Sequence, residues 1–118
     1  MKYKITRKKN HLLIIQLSGR LVGEFQTVQL NDEIEELIEK KYYHIIFDLS
    51  DLEFINSSGL TFFLKSLTRV RKFNGEVILC RVNDLLKNLM VTTKLNSFFT
   101  ICNNLEEAEA HLEKEKSL

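Results

Sequence analysis

The chain has 118 residues, of which 44% are hydrophobic, enough to bury a core without disulfides or metals, and one domain spanning residues 1–118 is expected. Its 17 Lys and Arg against 16 Asp and Glu leave a net charge of +1, so no global field draws a phosphate backbone or an anionic membrane, and direct nucleic-acid binding is not expected. No apolar run approaches the roughly 20 residues that cross a bilayer, and Met1-Lys2-Tyr3-Lys4 lacks the apolar core of a leader, so a cytosolic protein without membrane insertion is expected.

Tyr3 to Ile5 and His11 to Leu17 predict a hairpin around Lys8-Lys9-Asn10, with Leu12 to Ile15 apolar throughout and therefore covered on both faces. The cations Lys2, Lys4, Arg7, Lys8 and Lys9 are assigned to guarding a sheet edge, ahead of a role in anion binding. Gly19 and Gly23 punctuate the exit. From Glu24 to about Lys40, Leu30, Ile34, Leu37 and Ile38 recur at helical spacing while Asp32, Glu33, Glu35, Glu36 and Glu39 take the outer side. Ile45 to Asp48 is a short apolar strand, followed by a polar turn and a helix from about Ser57 to Lys72 that stops near Asn74-Gly75.

The pattern then repeats. Glu76 to Arg81 is a strand, Asp84 to Met90 a short helix capped by Asn83, Phe98 to Cys102 a last strand, and Asn104 to about Leu112 a final helix, with a charged tail, residues 113–118, that frays. This alternation predicts an α/β class: a small mixed, largely parallel sheet with about four helices packed on it. Cys80 and Cys102 each end an apolar segment without a second ligand at metal spacing, and both are read as reduced core thiols. No cofactor or metal is expected. Catalysis is not expected either, because Asn56-Ser57-Ser58-Gly59 does not fit the Gly-x-Ser-x-Gly elbow and His11, His44 and His111 fall on separate elements.

The most informative stretch is Phe47 to Leu60, where a strand leads through a polar turn to two serines at a helix start. The first N–H groups of a helix lack internal partners and its dipole favours negative charge, so a phosphoserine there is held by groups already in place. Asn56 is the expected N-cap. On a helical wheel Leu60, Phe63, Leu64, Leu67 and Val70 form the core stripe, and Ser58, Phe62, Lys65 and Arg69 the opposite side. In that arrangement Phe62 is an exposed apolar anchor for a partner, Lys65 and Arg69 steer an acidic one, and Asp48 ends a strand that points toward the motif.

The Asp48-Leu49-Ser50 strand end, the short turn and Ser57-Ser58-Gly59-Leu60 resemble the STAS domain, named after sulfate transporters and anti-sigma factor antagonists. Gly19-Arg20-Leu21, Gly75 to Leu79 and Leu105 to Ala108 extend the resemblance over nearly the whole chain. It implies a stand-alone anti-sigma factor antagonist whose partner, an anti-sigma factor that is also a serine kinase, is released when the serine matching Ser58 is phosphorylated. Ser57 is the second choice as acceptor. Val22 and Asn56 stand where many members carry aspartates. The alternative is a docking subunit of a signalling scaffold or transporter ATPase that is never phosphorylated.

Overall fold

A computed structural model describes residues 1–116. Its elements are β1 (Lys2–Lys8), β2 (Leu12–Leu21), α1 (Val28–Glu39), β3 (His44–Ile55), α2 (Ser57–Arg71), β4 (Glu76–Cys80), α3 (Asp84–Thr92), β5 (Thr100–Cys102) and α4 (Leu105–Lys116). The five strands lie side by side in chain order, β1 antiparallel to β2 and the other neighbours parallel. The fold is the α/β, mostly parallel arrangement expected from the alternation of patterns.

Alternate residues of the central strands face opposite ways. Ile45, Phe47, Val77 and Leu79 join the larger core with α1, α2 and α3, whereas Ile46, Ile78 and Cys80 meet Ala108 and Leu112 of α4. Leu30, Ile34, Leu37 and Ile38 are buried as their spacing predicts. Leu13 and Ile15 are buried, while Leu12 and Ile14 are only half-buried because α4 lies chiefly over β3, β4 and β5.

Several boundaries differ from the sequence reading. β3 does not end at Asp48: it continues through the expected turn to Ile55, because β2 also runs on to Leu21 and offers a partner to Asp51 and Leu52 after one register shift and to Phe54 and Ile55 after a second. The helix expected from Glu24 begins instead as a single 3-10 turn, Glu24–Gln26, before α1. There the Gln26 side chain accepts from Val22 N–H at 2.7 Å and donates to Arg20 C=O at 2.8 Å, which folds the connection back on itself. β5 starts at Thr100, since Phe98 N–H closes a turn on Leu95 C=O. Helix α4 extends past Leu112 to Lys116; residues 117 and 118 of the tail lie outside the described residues.

Helices α1, α2 and α3 end alike. Tyr42 N–H bonds Leu37 C=O, Gly75 N–H bonds Val70 C=O and Leu95 N–H bonds Met90 C=O, each with a left-handed residue just before the donor: Lys41 (φ 73°), Asn74 (φ 61°) and Lys94 (φ 61°). These are Schellman stops with a non-glycine residue in the glycine position. Gly75 is required for a different reason, because a Cβ there would sit 1.9 Å from Tyr43 C=O. Cys80 is buried and Cys102 only half-buried, so the second thiol is not a core residue as expected; β5 is an edge strand and leaves that position partly open. Among the described residues no helix is long and apolar enough to cross a membrane.

Candidate functional site

The start of α2 is built by Asn56. Its Oδ1 accepts from Gly59 N–H at 2.9 Å and its C=O accepts from Leu60 N–H at 3.0 Å, the ordinary work of an N-cap. Its Nδ2 also donates to Val22 C=O at 3.1 Å, tying the end of β2 to the helix start. A carboxylate at position 56 could make the first bond but not the third. Positions 22 and 56 are thus hydrogen-bonded to each other. Gly59 completes the junction: a Cβ would lie 2.4 Å from Leu21 C=O, so only glycine lets α2 approach β2 this closely.

Ser57 and Ser58 are both exposed in the first turn, where their N–H groups precede the first intrahelical bond. Ser57 C=O accepts from Thr61 Oγ1 at 3.4 Å. The side of α2 that continues from Ser58 is not the free basic face expected. Lys65 Nζ lies 3.0 Å from Glu24 Oε1. Arg69 donates to Asn31 Oδ1 at 3.0 Å and pairs with Glu35 Oε1 at 3.1 Å. Both cations clamp α2 to the 3-10 turn and α1, which lowers their availability to a partner.

Phe62 corrects the expectation more sharply. It is 3% exposed and packs edge-on against Phe47 at 5.5 Å and Phe63 at 5.4 Å, so it is a core ring and not a partner anchor. The wheel placed the buried stripe too narrowly: Gly59, Leu60, Phe62, Phe63, Ser66, Leu67 and Val70 are all buried, whereas Leu64 is only half-buried. The buried arc reaches as far as Phe62 because α1 and the 3-10 turn flank α2 on that side as well as the sheet below.

Asp48 is also misplaced by the sequence reading. It is 5% exposed, with Oδ1 accepting from Ser50 N–H at 3.1 Å, and it alternates to the same sheet face as Ile46, opposite α2. It shapes the strand and does not join the motif rim. The neighbouring Asp51 is exposed and accepts from Gln16 Nε2 at 3.2 Å.

Two exposed apolar residues that periodicity did not single out lie in the segment packed against α2. Phe25, in the 3-10 turn that Glu24 fastens to Lys65, is 77% exposed, and Val28 three residues on is 59% exposed. The signal was present, since Phe25 falls outside the Leu30, Ile34, Leu37 and Ile38 stripe. Ser57, Ser58, Phe25 and Val28 therefore offer two hydroxyls and an apolar patch on adjoining elements, positioned by the Asn56 junction.

Comparison with known proteins agrees with this architecture. The family model described as the STAS domain matches residues 3–108. BtrV of Bordetella bronchiseptica, assigned as an anti-sigma factor antagonist, is 26% identical over 107 residues, covering 91% of this chain and 92% of that protein. The anti-sigma F factor antagonist of Paenibacillus polymyxa is 29% identical over 105 residues, covering 86% and 87%. Among solved structures, the antagonist SpoIIAA in its unphosphorylated form superposes with a TM-score of 0.82 at 19% identity, covering 96% of this chain and 97% of that one. Its phosphorylated form gives a TM-score of 0.75 at 20% identity, covering 94% and 99%.

Proposed function

The chain belongs to the STAS domain family, and from that premise we propose that it is an anti-sigma factor antagonist: a single cytoplasmic binding domain that docks on a protein partner through the start of α2. The observation that carries the reading is the exposed Ser58 in the first turn of α2; Phe25 and Val28 are exposed on the 3-10 turn and α1, which Lys65 and Arg69 tie to the same helix. Unmodified, this surface seats an anti-sigma factor and frees its sigma factor for transcription. Phe25 is the apolar anchor, a type of residue that supplies much of the binding energy of interfaces.

The switch is transfer of the γ-phosphoryl group of ATP to Ser58 Oγ by the anti-sigma factor acting as kinase, with ADP leaving and the hydroxyl proton released. The phosphate adds about 1.5 to 2 negative charges at neutral pH, and burying them in a packed contact without matched donors costs more than a typical contact returns. The partner is then released. Related antagonists are named by the same activity, and SpoIIAA is known in both forms, which supports a phosphorylation cycle here.

A second reading is favoured by Val22 and Asn56, which put no carboxylate beside the Ser58 hydroxyl: a docking subunit in a scaffold or transporter that is never phosphorylated. Mass spectrometry of the motif peptide from the native host, with Ser58→Ala as control, separates the two. Phosphate on Ser58 that the control lacks is expected; an unmodified serine across growth and stress conditions would sink the switch and leave docking. Phe25→Ser is expected to weaken capture of the partner in either case.

A further inference from the structure

The net charge of +1 conceals an uneven distribution. Because β2 to β5 are parallel and the helices run back between them, the C-terminal ends of α1, α2 and α3 gather where β3, β4 and β5 begin. Lys40 and Lys41 follow α1, Arg71 and Lys72 close α2, and Lys94 follows α3, all exposed. Segments 40–43, 71–75 and 94–98 together hold these five cations and no carboxylate. Two half-exposed rings, Phe73 and Phe98, stand among them at 48% and 51% exposure.

Direct contacts make this one surface. The Phe73 ring stacks on Tyr43 at 4.5 Å with the planes 6° apart, and Tyr43 lies two residues after Lys41. Arg71 Nη2 donates to Phe98 C=O at 3.4 Å, and Phe98 N–H bonds Leu95 C=O, next to Lys94. Among the described residues the ion pairs are made by Lys8, Lys65, Arg69 and His111 and not by these five cations. Glu76, at the start of β4, accepts from Thr100 Oγ1 at 2.7 Å and lies 3.0 Å from His111 Nε2.

We propose that this end of the domain docks on the surface of an anionic lipid bilayer. Each lysine held near such a surface contributes on the order of 1 kcal/mol, or about fivefold in partition at 1.4 kcal/mol per tenfold, and apolar side chains add to this by entering the headgroup region. Four of the five cations are lysines, point charges on flexible stems that suit a diffuse and laterally mobile anionic field, whereas fixed carboxylates on a protein favour the planar fork of arginine. Phe73 and Phe98 sit on two separate connections, α2 to β4 and α3 to β5, as two apolar points within a charged surround. Ser58 is at the other end of α2, about 22 Å away at 1.5 Å per residue, so a docked domain keeps its motif facing the aqueous phase. The proposal is independent of whether Ser58 is phosphorylated.

Flotation of the full chain with vesicles tests it, comparing pure phosphatidylcholine with mixtures containing phosphatidylserine. Binding is expected only to the mixture, with loss at high salt as screening shortens to a few ångströms, and about a fivefold drop for each of Lys40→Gln, Lys41→Gln, Lys72→Gln and Lys94→Gln. Phe98→Ser is expected to weaken binding with the circular dichroism spectrum unchanged. Lys2→Gln or Lys4→Gln, each on β1 at the sheet edge, serves as the charge-matched control and leaves binding in place. Absence of phosphatidylserine-dependent binding overturns the proposal, as does an equal loss in the control. Capture by a glutamate-rich peptide carrying leucines, without vesicle binding, also overturns it by marking a protein site.

Discussion

Replacing Phe62 by alanine separates a core ring from a surface anchor. At 3% exposure the side chain gives up nearly its whole apolar burial, about 2 kcal/mol. It also loses two edge-on ring contacts, to Phe47 and Phe63, each about 1 kcal/mol. The sum, about 4 kcal/mol, falls in the range of about 3–5 kcal/mol measured for such truncations in cores. A domain of this size is held by about 5–15 kcal/mol, so a large share of the stability is at stake. In urea, with a slope of about 2 kcal/mol per molar, the unfolding midpoint should fall by about 2 M while the slope is unchanged. Phe25→Ala, at a 77% exposed ring, is the matched control and should move the midpoint by less than about 0.5 kcal/mol equivalent. Both curves are read by far-ultraviolet circular dichroism. A loss below about 1 kcal/mol for Phe62→Ala would refute the packing argument and return Phe62 to the surface.

Three further expectations follow from local geometry. Asn56→Ala removes both the cap to Gly59 and the bond to Val22 C=O and should cost about 2 kcal/mol in thermal or urea unfolding, whereas Asn56→Asp keeps the cap, gains charge at the helix start and should cost less than about 1 kcal/mol. Lys41→Gly and Lys94→Gly should each stabilise by about 0.5–1 kcal/mol in the same assay, because glycine relieves the left-handed strain of about 1–2 kcal/mol and gives back part of it as chain entropy. Stability should fall as pH rises above 9. The Tyr3 phenol, bonded to Glu33 Oε2 at 2.5 Å, is pushed up from 10.0 to about 12, first by that hydrogen bond, and burial pushes the Cys80 thiol from 9.0 to about 12. Both folded values lie above the unfolded ones, so the protonated forms favour folding below pH 9 and this contribution is lost between 9.0 and about 12. Tyr3→Phe should flatten the upper part of that fall in pH-dependent unfolding curves.

What could be read from the chain was set by how local the determining forces are. The caps at Asn56 and Asn83 and the α1 stripe are decided within one or two helical turns, and all are found as expected. The course of β3 beyond Asp48 was not readable in the same way, since Ser50, Asp51 and Glu53 have little strand preference and the segment is held by pairing of Asp51, Leu52, Phe54 and Ile55 with the end of β2, some 30 residues earlier. The wheel for α2 identified the central stripe but could not tell how far burial spreads, which depends on α1 and the 3-10 turn packing beside the helix. Phe62 belongs to the core for that reason, and Phe25, in the 3-10 turn, is the exposed ring. The partners of Lys65 and Arg69 lie 41 and 34 residues away, at Glu24 and Glu35, a separation over which pattern carries no information.

The order of strands across the sheet, the same as their order along the chain, bears on how the protein is made. Each strand leaving the ribosome finds its neighbour already present, so the sheet can grow in one direction without waiting for distal sequence. The two faces mature at different times. Helices α1, α2 and α3, which cover one face, all precede α4 in the chain, whereas Ile46, Ile78 and Cys80 on the other face stay bare until α4 emerges. A nascent chain stalled before Leu105 would present that apolar strip to chaperones or to other nascent chains, so α4 acts during synthesis as the closing step that turns an adhesive intermediate into an inert domain.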